Sequence, residues 1–69
     1  MLKTLREFIS DLHPLATVKL GDYKMKAYEV LGRHTYMDKN GCITLNLDTY
    51  NYRAKFNDDM DMWSVIVYG

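Results

Sequence analysis

The chain has 69 residues, nine basic and nine acidic side chains, a formal charge of zero and hydrophobic residues at 48% of positions. That length predicts one domain over 1–69, near the size at which a single apolar core barely offsets chain entropy. The lone Cys42 excludes an intramolecular disulfide, no run of about 18 apolar residues offers a membrane span, and balanced charge argues against bulk electrostatic binding to nucleic acid. Met1 to Leu12 carry Lys3, Arg6, Glu7 and Asp11 and lack the apolar stretch of a secretion signal, so the expected location is the cytoplasm.

Leu2, Leu5, Phe8, Ile9 and Leu12 recur at helical spacing, with Arg6, Glu7, Ser10 and Asp11 opposite them. Thr4 and Glu7 have the spacing of a capping box, and Pro14 forbids continuation, which predicts an amphipathic helix over about 4–13. A first strand is expected over 15–20, ended by the turn pair Gly21-Asp22. From Tyr23 the residues alternate, then slip phase where Tyr28 and Val30 take the apolar positions. A bulge produces such a slip, so 23–37 reads as one long curved strand.

Asp38-Lys39-Asn40-Gly41 is the expected reversal, a three-residue loop that sets Asp38 against Cys42, Met37 against Ile43, Thr35 against Leu45 and Arg33 against Leu47. Thr35, Met37, Ile43, Leu45 and Leu47 then share one face, and His34, Tyr36, Thr44 and Asn46 the other. A two-residue Asn40-Gly41 loop is the rival. The returning strand covers 42–56, Asn57 to Met60 turn, and 62–68 is an almost uninterrupted apolar run suited to a strand covered on both faces or meeting a partner. The expected fold is α+β, an N-terminal helix packed on a strongly twisted four-stranded antiparallel meander. A second helix over Thr49 to Asn57, capped by Asp48, is the alternative for that segment.

Chemistry-bearing residues are few. Cys42 with His34 or His13 is the only thiol and imidazole set, and the expected register keeps Cys42 and His34 roughly 13 Å apart at ~3.3 Å per residue. Asp58, Asp59 and Asp61 are hard oxygen donors, but the central Gly and following Glu of a calcium loop are missing. No catalytic residue, metal, cofactor or small-molecule substrate is therefore expected. The chain reads instead as a non-enzymatic module that binds a larger protein or protein–nucleic acid complex. An inhibitor of the kind phages and mobile elements use against host nucleases is the leading example. Its expected contacts are the acidic turn Asp58, Asp59 and Asp61 with Tyr28, Tyr36 and Tyr68, since aromatic anchors dominate interfaces. A second reading is a small single-stranded nucleic-acid-binding domain using Lys24, Lys26, Arg33, Arg53 and Lys55. Exposed strand edges also allow a homodimer through Met62 to Tyr68.

Overall fold

A computed structural model describes residues 2–68. Helix α1 covers Leu5–Ser10. The Thr4 hydroxyl accepts from the Glu7 N–H at 3.2 Å, and the Glu7 carboxylate accepts from the Thr4 N–H at 3.1 Å, a reciprocal cap. The other two unpaired donors of the first turn are taken by the distant chain: Leu5 N–H reaches the Thr49 carbonyl at 2.9 Å and Arg6 N–H the Leu47 carbonyl at 2.6 Å. The helix is shorter than the expected 4–13. Its last bonds tighten to the i→i+3 type, Asp11 to Phe8 and Leu12 to Ile9, ahead of Pro14.

Strands β1 (Thr17–Leu20) and β2 (Tyr23–Lys26) form a hairpin through Gly21-Asp22. Gly21 has φ +61, the positive value that the first central position of a type II′ turn requires. The chain then departs from the long bulged strand expected over 23–37. Residues Ala27–Leu31 form helix α2, which ends at Gly32. Glu29 accepts from the Lys26 N–H at 3.2 Å and so caps the turn. Ala27 and Val30 are buried at i and i+3, with Leu31 half-buried beside them. The phase slip in the sequence is thus a change of period from two to 3.6, not a bulge.

Strands β3 (Thr35–Asp38) and β4 (Gly41–Thr44) pair only with each other. Their loop is Lys39-Asn40, one residue short of the expected turn and one position away from its rival: Thr35 opposes Thr44, Tyr36 opposes Ile43 and Met37 opposes Cys42. This register turns Tyr36 inward with Leu45 and Leu47 and leaves Met37 outside, the reverse of the expected faces. After Thr44 the single strand expected over 42–56 is interrupted. The segment 45–51 carries the carbonyls that hold α1, and strand β5 (Tyr52–Asn57) begins beyond it. The alternative helix over Thr49 to Asn57 does not form.

Strand β6 (Met62–Val67) follows. It lies inside a four-stranded sheet of order β2-β1-β6-β5, antiparallel to β5 and parallel to β1. The fold is therefore α+β with short helices and a mixed sheet, not an antiparallel meander. The parallel pairing has a physical reason: it sets Val18 and Leu20 beside Trp63 and Val65, which joins the two most apolar strands at the sheet centre. Because β1 and β5 flank β6 through Trp63 to Val65, that strand offers no open edge there for the dimer expected over 62–68. The inner face of the sheet, α1, α2 and the β3–β4 hairpin enclose Leu5, Ile9, Val18, Leu20 and Val30, each essentially without solvent contact. Helix α1 lies beside α2 and reaches the sheet through Phe8, whose ring meets Trp63 edge-on at 5.2 Å and Tyr52 at 5.8 Å. Among the described residues no helix is long and apolar enough to cross a membrane.

Candidate functional site

The observed hairpin register separates the thiol from the nearer imidazole. Leu45 N–H donates to the His34 carbonyl at 2.8 Å, which places His34 level with Leu45 and three residues from Cys42, on the opposite side of the ribbon. Cys42 is a free, exposed thiol. Among the described residues no group of three His, Cys, Asp or Glu side chains is arranged to hold a metal.

The residues expected to form one partner surface are dispersed. Asp58, Asp59 and Asp61 lie exposed in the β5–β6 turn, where the Asn57 side chain accepts from the Met60 N–H at 3.2 Å and Asp61 takes φ 52. Tyr68 follows the other end of β6, roughly 20 Å away at ~3.3 Å per residue. Tyr28 is exposed on α2. Tyr36 is not an exposed contact: only 8% of it meets solvent, because the tighter loop aims it at the core.

The expected basic set converges more closely. In-register positions Lys24, Lys19, Ser64 and Lys55 form one row across all four strands, on the face away from the core. Lys26 follows the row by two residues on β2 and Arg53 precedes it by two on β5, towards opposite ends of the sheet, so both share that face. Lys26 also donates to the Thr17 hydroxyl at 3.4 Å. No strand position on this face is acidic; Asp22 and the Asp58–Asp61 turn stand beyond its two ends. Lys19 was absent from the expected set although its alternation with Val18 and Leu20 in the sequence marks it as outward-facing. Arg33 does not belong to the face. Its guanidinium lies 5.8 Å from the centre of the Tyr23 ring, and Tyr23 alternates with Lys24 to the core side.

A groove that no spacing in the sequence announces runs between the β3–β4 hairpin and the end of β6. Two adjoining cavities of about 300 and 440 Å³ share Tyr36 and Val67 as walls. The first is completed by Lys19, Gly21 and Ile66, the second by Ile43, Thr44 and Tyr68, among others. The groove exists because β1 turns away at Gly21 while β6 continues to Val67. Tyr68 N–H donates to the Asn51 carbonyl at 2.9 Å, and backbone groups alternate direction along an antiparallel strand, so those of Val67 point to the side that β1 has vacated. The floor thus combines backbone donors and acceptors with apolar walls. On the outer rim Ile66 is 57% exposed and Tyr68 48% exposed.

Comparison of the chain with protein-family models, with curated proteins and with solved structures finds no match.

Proposed function

We propose that the chain is a small, non-enzymatic binding module that acts by occupying a larger protein, taking an extended segment of that partner into the groove beside β6. The observation that carries this reading is the unfinished edge of β6: its backbone at Val67 faces a cleft lined by Tyr36, Ile43 and Tyr68, the combination that strand addition uses for affinity and selectivity. Exposed Ile66 and Tyr68 extend the apolar contact past the rim, in keeping with the aromatic and aliphatic anchors of protein interfaces. Occupancy of this sort suits an inhibitor or modulator, which needs a shaped surface and no reacting group.

The test is site-specific photocrosslinking in extract of the source cells, with the photoreactive residue at Tyr68 in one protein and at Tyr28 in another. A discrete adduct from position 68 that is lost on Thr44→Arg, and absent from position 28, is the expected result. Equal labelling from both positions, or an adduct indifferent to Thr44→Arg, would refute the groove as the contact.

A further inference from the structure

We infer that the outer sheet face is a second binding surface, one that takes the phosphate backbone of a single-stranded nucleic acid without reading its bases. Five cations, Lys19, Lys24, Lys26, Arg53 and Lys55, share this face, and the strands contribute no carboxylate to it. Such segregation is costly in a chain with zero formal charge, because pairing each cation with one of the nine available acids would lower its self-repulsion. The acids instead stand at the two ends, where Asp22 and Asp58 to Asp61 would repel a polyanion running off the face and confine it to the sheet.

Two features point to phosphate and to a single strand. Lys24 with Lys26, and Arg53 with Lys55, repeat at two-residue intervals, about 6.6 Å, along edge strands about 14 Å apart. A ligand whose charge recurs regularly meets that pattern better than the irregular carboxylates of a protein surface. A rigid, convex duplex would rest on the central strands, whereas a flexible strand can cross the face and meet both edges. Base stacking has little to use, since Tyr23, Tyr52, Phe56 and Trp63 all project to the opposite face and Tyr68 alone flanks this one. Contact is thus electrostatic and indifferent to sequence. The inference stands whether or not the groove takes a partner, because of the five cations only Lys19 lines it, while Lys24, Lys26, Arg53 and Lys55 do not.

Fluorescence anisotropy with a dye-labelled oligo-dT of about 20 nucleotides tests it. Five phosphate contacts at about 0.7 released ions each give a slope near −3.5, so affinity should fall about 100-fold between about 50 and 200 mM salt. Lys24→Glu with Arg53→Glu should abolish binding, and the milder Lys24→Gln with Arg53→Gln should reduce the slope by about 1.4. Arg33→Glu with Lys39→Glu changes the net charge as much as the first pair but lies off the face, and should leave affinity within about twofold. No binding at low salt, equal losses from the two charge-reversal pairs, or tighter binding of a duplex of the same length would each overturn the inference. Circular-dichroism melts of every variant confirm that folded proteins are being compared.

Discussion

Gly21 joins the sheet to the hairpin, and Gly21→Ala should separate them. At φ +61 an alanine carries a penalty of about 1–2 kcal/mol. Its Cβ would also lie 2.5 Å from the Met37 carbonyl oxygen, closer than packed atoms allow, and 3.0 Å from the Tyr36 ring, which must give way slightly. The hairpin must then retreat, which lengthens the Asp22 N–H to Met37 carbonyl bond, now 3.3 Å, and forfeits about 0.5–1.5 kcal/mol. Loss of unfolded-chain entropy returns about 0.4–1 kcal/mol. The net destabilisation is therefore about 2 kcal/mol, or about 8–16 °C in melting temperature for a domain of this size. Thermal and urea unfolding, followed through the single Trp63, measure it. Gly41→Ala is the comparison, because φ +113 strains an alanine there with nothing within 4 Å of its Cβ. Amide shifts should spread to Tyr36, Met37 and Val67 in the first variant and stay within the Asp38–Cys42 turn in the second. A loss below about 0.5 kcal/mol for Gly21→Ala, or shifts confined to the β1–β2 turn, would refute the close approach.

Tyr36→Ala should cost about 3 kcal/mol, whereas Tyr28→Ala, at a side chain 56% exposed, should change stability by less than about 0.5 kcal/mol in the same melts. Glu29→Ala removes the acceptor of the Lys26 N–H and should cost about 1 kcal/mol, with faster hydrogen exchange confined to α2. The Asp11 carboxylate, hydrogen-bonded to the Lys3 ammonium, holds the Lys3 pKa above its ordinary 10.5. A raised folded-state pKa gives stabilisation that is complete below the unfolded value and lost as pH rises through the folded one. The small melting difference between the parent and Lys3→Met should accordingly be flat from about pH 7 to 9 and shrink in the alkaline range above it.

Local signals in the sequence carried most of the elements. Thr4 with Glu7 marked the start of α1, Gly21-Asp22 and Asn57 to Met60 marked two of the turns, and the alternation of Tyr52, Ala54 and Phe56 marked β5. Helix α2 was hidden because its five residues are too few to show more than one apolar repeat, and Tyr28 and Val30 satisfy a shifted period of two as readily. The hairpin register was hidden because Asp38-Lys39-Asn40-Gly41 permits several loops, and the one adopted is selected by burial of Tyr36 against Leu45 and by the contact at Gly21. The parallel pairing of β1 with β6 joins residues more than 40 positions apart, and nothing local encodes it beyond the unusual apolarity of β6. The basic face was partly legible: two-residue alternation gave four of its cations and marks Lys19 as outward-facing, but setting Lys19 beside the other four and removing Arg33 required the strand order. The groove depends wholly on where β1 stops relative to β6.

The strand order also has a temporal side. The middle of the sheet is completed by β6, which leaves the ribosome after β1, β2 and β5, and helix α1 is tethered by carbonyls more than 40 residues downstream. A nascent chain halted before Met62 would hold the β1–β2 hairpin and an unpaired β5 with no strand between them. Native structure should then arise in one late step, so arrested chains of increasing length should stay protease-sensitive until Trp63 to Val67 have emerged, and become resistant together.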